Sequence, residues 1–207
     1  PKVEARPAKI WHALVFFGLA MLLGLFTTMK LSVAMLTGAV GMLLCCEERA
    51  HEFTNNPVFI TGFGNCMDSY FMGDRDLVSN FALKKAAERA YKRAGIKNPK
   101  KAVNCVELSD QFAYQQPMWL EGLGLADEGK GGQFIDEFGP AKYNVNLSGG
   151  HLTGRPIVCG GLYGAAQAAL QLMGKAGEHQ AADINCAVVQ STIGGAGQFH
   201  TVVVLEK

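Results

Sequence analysis

The stretch "INCAVVQSTIGGAGQFHTVVVLEK" (residues 184–207) reads as strand, glycine turn, strand, and so predicts a closing β-hairpin. The segments before it read as alternating helices and strands. "CGGLYGAAQAALQLMGKAG" (159–177) is a helix of small residues, able to pack closely on a sheet or on another helix. "NVNLSGGHLTGRPIVCGG" (144–161) is a loop with five glycines, one proline, and a histidine and an arginine four residues apart. Such glycines let backbone approach a ligand or a neighbouring helix. Further back lie a glycine-rich excursion (126–143), an interrupted helix, "DQFAYQQPMWLEGLGL" (110–125), and a short apolar strand, "KAVNCVEL" (101–108). In "DLVSNFALKKAAERAYKRAGI" (76–96), Leu77, Phe81, Leu83, Ala87, Ala90, Tyr91 and Ala94 recur at helical spacing, with a stop at Gly95 and Pro99 just beyond. "VFITGFG" (58–64) reads as a strand ended by glycine. "CEERAHEF" (46–53) reads as a short polar helix or linker, broken at Asn55-Asn56-Pro57. Strands alternating with helices predict a layered α/β fold.

The 207 residues are enough for one good-sized domain, or for one domain with a fragment of another. A net charge of +1 and the lack of any lysine/arginine run exclude charge-driven binding of nucleic acid. They leave a near-neutral surface for small molecules or protein partners. The cysteines at 45, 46, 66, 105, 159 and 186 form no CxxC pair and sit far from histidines at ligand spacing, so no metal site is expected. Cys105 and Cys186 fall in apolar runs, where cysteine acts as a small core residue. Free thiols at this density suit the cytoplasm.

"IWHALVFFGLAMLLGLFTTM" (10–29) has one ionisable group, His12, and follows Lys2, Arg6 and Lys9. Its length would span a bilayer. Gly18, Gly24 and the next apolar stretch, "LSVAMLTGAVGMLLCC" (31–46), which reads as a buried strand, favour burial in protein instead, though length alone leaves a membrane open.

Taken in order, four pieces resemble the C-terminal half of a thiolase: "TGAVGMLLCCEERA", "VELSDQFA", "NVNLSGGHLTGRPIVCGG" and "STIGGAGQFHTVVVLE". They correspond to the strand ending the thiolase N-terminal domain, the NEAF segment, the GHP loop and the CxG loop, and the match runs over about 31–207. The resemblance implies a thiolase-like layered α/β/α fold, five layers in a complete thiolase. It divides the chain into an unassigned apolar segment (1–30), the last strand and linker of an N-terminal domain (31–53), and a C-terminal domain (54–207). The variant form is similar to thiolase-like acyl-CoA acetyltransferases that work with a small zinc-ribbon/OB-fold partner, such as benzoylsuccinyl-CoA thiolase. The family implies a coenzyme A thioester as substrate, no bound cofactor, and an oligomer with itself, with another thiolase subunit or with that partner.

In the family, a cysteine of the N-terminal domain attacks the thioester, the GHP histidine activates it, a CxG cysteine moves a proton, and the NEAF asparagine holds a water at the oxyanion. The GHP histidine aligns with Arg155, which cannot act as a base near neutral pH. The CxG cysteine aligns with Thr192, the NEAF asparagine with Ser109, a catalytic candidate able to hold the same water, and its acidic neighbour with Asp110. The part of the N-terminal domain that bears the nucleophile has no counterpart in this sequence, and none of the six cysteines stands in a nucleophile-like context. His151 and His200 are candidate substitutes as acid/base groups, each set against a plain loop or strand-end role. Ser148, Gly149, Gly150, Gly194 and Gly195, with Asp110, Arg155 and Thr192, are candidates for binding the CoA ester. Asp68, Asp74, Arg75 and Asp76 read as loop charges capping the next helix, and Tyr114 and Trp119 as packing. The expected function is a thiolase-like subunit that makes or breaks a carbon–carbon bond on an acyl-CoA, with its nucleophile supplied from elsewhere. The alternatives are a non-catalytic partner of an active thiolase and, third, a retro-aldolase on the same fold.

Overall fold

The computed structural model describes residues 41–154 and 159–207. The expectations for 10–29, for the 31–40 part of the strand read over 31–46 and for Arg155 lie outside the described residues; residues 41–46 of that stretch are exposed and form no strand. Among the described residues, four strands form one mixed sheet: β1 (Phe59–Met67), β2 (Cys105–Glu107), β3 (Cys186–Ile193) and β4 (Phe199–Glu206), in the order β1-β4-β3-β2. The helices are α1 (Ala50–Phe53), α2 (Phe81–Ala94), α3 (Pro99–Ala102), α4 (Gln115–Gly122), α5 (Gly131–Phe138), α6 (Gly150–Thr153) and α7 (Gly160–Met173). None of the described helices is long and apolar enough to cross a membrane.

The closing hairpin forms as its glycines imply. β3 and β4 pair antiparallel without a break from Cys186↔Glu206 to Ile193↔Phe199, and Gly194 (φ 88°) and Gly197 (φ 67°) supply the positive φ of the turn. β2 runs parallel to β3, and β1 antiparallel to β4.

Alternation along the strands builds a core on each face of the sheet. Val188, Val202 and Val204 pack with Leu83, Ala86 and Ala90 of α2 and with Trp119, Leu120 and Leu123. Ala187, Val189, Leu205 and Cys105 pack with Ala168 and Leu172 of α7 on the opposite face. The result is the helix–sheet–helix layering expected. Burial pushes the Cys105 and Cys186 thiols up to about 12, so both are inert core groups.

Three local expectations change. The glycines of β1 do not end it. Gly62 and Gly64 lie inside the strand, because α2 rests its backbone there: a side chain at Gly64 would strike the Ala86 carbonyl, and one at Gly62 the Ala90 carbonyl. α2 starts at Phe81, and Leu77 and Phe81 are exposed; the buried stripe is Ala82, Leu83, Ala86, Ala87, Ala90 and Tyr91. Its end is as predicted, with Gly95 left-handed and Ile96 N–H bonded to the Tyr91 carbonyl at 2.9 Å. The excursion 126–143 contains helix α5, whose Phe134 stacks on Tyr143 at 5.7 Å.

Candidate functional site

The parallel strands β2 and β3 run side by side, with Glu107 at the end of β2 opposite Val189 and β3 continuing to Ile193, and the crevice beyond the carboxyl ends of such strands is where α/β sheets bind ligands. A cleft of about 360 Å³ opens there. One wall is the segment after β2, with Phe112, Tyr114 and Gln115. The opposite wall is the end of β3 and its turn, Ser191–Gly194, Ala196 and Gly197. His151 and the first turn of α7, Gly160 and Gly161, close the third side. Phe112 and Tyr114 stack with ring centroids 5.8 Å apart and are more than half exposed, so Tyr114 is a cleft residue and not packing. Trp119 is core, as expected.

The loop carrying His151 is shaped by residues of the strand beside it. Val145 bridges to Val106, and Asn146 N–H donates to the Val106 carbonyl at 2.8 Å. The Asn146 side chain then imitates one more strand residue: its Oδ1 accepts from Leu108 N–H (2.6 Å) and its Nδ2 donates to the Leu108 carbonyl (3.4 Å). Gly149 (φ 91°) and Gly150 (φ 60°) make the reversal. At Gly150 a side chain would meet Asn146 Nδ2 at 2.5 Å and Asp110 Oδ1 at 2.6 Å. Two carboxyls hold the loop from below. Glu107 accepts from the Ser148 hydroxyl (2.7 Å) and amide (3.4 Å), and Asp110 accepts from the His151 amide (2.9 Å). The His151 ring lies over Gly160, where any Cβ would touch it at 2.5 Å. Gly161 likewise faces Ser191, and Gly164 faces Val189. These glycines let α7 lie against β3 with an imidazole at its first turn.

Burial raises the Glu107 carboxyl to about 7, with the Ser148 bonds pulling the other way. Burial also raises Asp110, offset by the His151 amide. Glu107 was not a sequence candidate, although a lone charge in the apolar run "AVNCVEL" was the available signal.

The remaining candidates divide. Thr192 and Gly194 line the cleft; the Thr192 hydroxyl donates to the Phe199 carbonyl at 3.1 Å. Gly150 and Ser109 border a smaller void beneath, which His151 also borders. Ser109 is buried, with its amide on Gln190 Oε1 (2.9 Å), its hydroxyl on the Gln190 carbonyl (3.3 Å) and its carbonyl accepting from Trp119 Nε1 (3.1 Å). Ser148, Gly149, Asp110 and Gly195 support the loops from outside the cleft lining.

His200 does not enter the cleft. It is 2% exposed, on the α2 face of β4, edge-on to Trp119 at 4.8 Å. Its Nδ1 is 2.9 Å from Gln190 Nε2. Because Gln190 Oε1 is occupied by the Ser109 amide, Gln190 presents its NH2, so Nδ1 must accept and carry no proton. Burial and this donor-facing geometry agree in direction: the imidazole is pushed down to about 4 by burial first. His200 is therefore a neutral core group at neutral pH, and the expectation that it exchanges protons with substrate gives way to the structural role. His151 is the histidine the fold brings to the cleft. No cluster of metal-ligating residues occurs among the described residues.

Known proteins are similar to this chain in sequence and in fold. Residues 64–207 match the family described as thiolase C-terminal domain-like. The acetyl-CoA acetyltransferase of Methanothermobacter thermautotrophicus is 30% identical over 176 residues, 82% of this chain and 45% of that protein. The benzoylsuccinyl-CoA thiolase subunit BbsB of Thauera aromatica is 32% identical over 138 residues, 64% of this chain and 34% of that one. The solved structure described as the Ltp2-ChsH2(DUF35) aldolase has a similar fold, with a TM-score of 0.66 at 21% identity, covering 77% of this chain and 42% of that chain. The chain spans less than half the length of each of these relatives. Its layered sheet, its glycine loops and the match over most of its length have one common explanation: the chain belongs to the thiolase family, in the part described as the C-terminal domain.

Proposed function

We propose that the cleft at the ends of β2 and β3 binds an acyl-CoA thioester, and that the chain serves carbon–carbon bond formation or cleavage as half of a thiolase-like active site. The nucleophilic cysteine comes from the other half of the fold, whether elsewhere on a longer polypeptide or on a sister subunit. The observation that carries this reading is the convergence of His151, the glycine turn of β3–β4 and the glycine start of α7 on one cleft. His151 supplies acid/base chemistry in place of the family's GHP histidine, whose position is held by Arg155. Ser109, Ser148, Gly149, Gly150, Asp110, Thr192, Gly194 and Gly195 shape the two loops that receive the ester. Names of the relatives support the substrate class and the division of labour: one is an acetyl-CoA acetyltransferase, and another is one subunit of its thiolase. The partner is another thiolase subunit or the zinc-ribbon/OB-fold protein implied by the resemblance, in the cytoplasm.

A second reading is a non-catalytic subunit that shapes the substrate tunnel of an active thiolase. It is favoured by the cleft itself, which no cysteine of the described residues lines.

Calorimetric titration with acetoacetyl-CoA tests the proposal. The unaltered chain should bind, and Thr201→Trp, which fills the cleft, should not; equal binding by both sinks it. In the assembled enzyme His151→Asn should bind nearly as well yet turn over about 100-fold more slowly, the usual loss for a general acid/base group. Unchanged turnover would leave the non-catalytic reading.

A further inference from the structure

Arg75 stands in "MGDRDL", where the sequence suggests a surface charge ahead of a helix. The fold gives it another task. Its side chain is only 4% exposed, with Nε 3.6 Å from Asp68 Oδ2. Nη1 donates to the Gly195 carbonyl and Nη2 to the Ala196 carbonyl, both at 2.8 Å. The same segment is stitched to the turn three more times: Asp68 N–H to the Gln198 carbonyl at 2.9 Å, and Gln198 Nε2 to the Ser69 and Tyr70 carbonyls at 3.3 and 3.4 Å.

Ala196 is left-handed (φ 50°), a conformation disfavoured for a residue with a side chain. It aligns two successive carbonyls, as a helical turn does, so that one planar guanidinium fork reaches both. In a trans peptide the N–H points opposite to the C=O of the same plane. With the Gly195 and Ala196 carbonyls turned to Arg75, the amides of Ala196 and Gly197 are directed to the other side. Both of those residues line the cleft, and Arg75 does not.

We propose that Arg75 is a positioning residue that presets the β3–β4 turn, so that the Ala196 and Gly197 amides face the cleft as paired donors to the thioester carbonyl oxygen. Successive amides of this kind make a concavity for negative charge, and donors aimed beforehand need no rearrangement as charge develops. The buried cation behind the carbonyls holds the turn in its disfavoured form, and Asp68 balances its charge. The proposal rests on the cleft being a thioester site.

Amide NMR of the full chain, with Arg75→Met and Arg75→Lys, separates the two claims. Without ligand, Arg75→Met should move the Ala196 and Gly197 amide resonances and speed their exchange with solvent. It should also weaken acetoacetyl-CoA binding about tenfold or more, since bonds from a charged donor are at stake. Arg75→Lys, which keeps the charge and loses the fork, should fall between, and it decides on the same readouts if Arg75→Met does not fold. Unmoved resonances would overturn the role of Arg75. Bound ligand that leaves the Ala196 and Gly197 amides of the unaltered chain unshifted would overturn their role as donors. Failure of the unaltered chain to bind acetoacetyl-CoA would overturn the thioester reading, while the ligand-free resonances still report whether Arg75 sets the turn.

Discussion

Glu107 and His200 are buried groups whose protonation the fold reverses in opposite senses. Glu107 keeps its proton to about pH 7 in the folded chain, against an ordinary 4.5. The stability it contributes is complete below about 4.5 and is lost as pH rises through 7. His200 stays neutral down to about pH 4, against an ordinary 6.5. Its contribution is complete above 6.5 and is lost as pH falls through 4. Between 4.5 and 6.5 the folded chain carries the proton on Glu107 and the unfolded chain carries it on His200, so the two effects cancel. Glu107→Gln should expose the His200 arm, losing about 3 kcal/mol relative to the unaltered chain as pH is lowered from 6.5 to 4. His200→Gln should show the mirror-image loss as pH is raised from 4.5 to 7. Urea midpoints across pH check both, and curves parallel to that of the unaltered chain would refute the assignment. The burial of His200 was legible after the fact: it shares parity along β4 with Val202 and Val204. Its setting was not legible, because Trp119, which packs on its ring, and Ser109, whose amide orients Gln190, come from a segment far from the hairpin in sequence.

At the scale of elements, the contact that organises the sheet's outer edge is α2 on β1. Gly62 and Gly64 bring the helix backbone onto the strand, and guanidinium groups of Arg89 and Arg93 donate to the Asn65 and Phe63 carbonyls of that free edge. The edge is thereby covered by charge, a common defence against pairing with other chains. Gly64→Ala should cost about 3 kcal/mol, the upper range for overpacking, because the new methyl meets main chain and not a side chain that can turn away. A lowered urea midpoint at unchanged slope would show it; an unchanged midpoint would mean that α2 can shift freely. Glycine within "VFITGFG" is ambiguous in sequence, since the same residue ends a strand or admits a neighbour, and only the helix above it distinguishes the two.

At the scale of the whole molecule, the α7 side of the sheet is unevenly covered. Ile60, Phe63 and Met67 of β1 are 52%, 40% and 61% exposed there, and Tyr70 and Phe71 are exposed just beyond. Apolar surface of this kind is what the proposed packing of further thiolase-fold polypeptide requires. Native mass spectrometry of the complex from its source should find thiolase-fold polypeptide beyond these 207 residues, carrying a cysteine nucleophile. A homo-oligomer of 22.2 kDa chains alone would contradict it. The sequence by itself determined the hairpin, the stop of α2 and the layered class, because strand and helix periods and left-handed glycines are local properties of the chain. The family was equally readable from the order of its loops. Only the tertiary structure decided which histidine meets the cleft, that Glu107 grips the loop of His151, and that Arg75 belongs to a turn 120 residues away. Those outcomes depend on which buried polar groups find partners across the sheet, and such pairing is set by packing between distant segments and not by any local pattern.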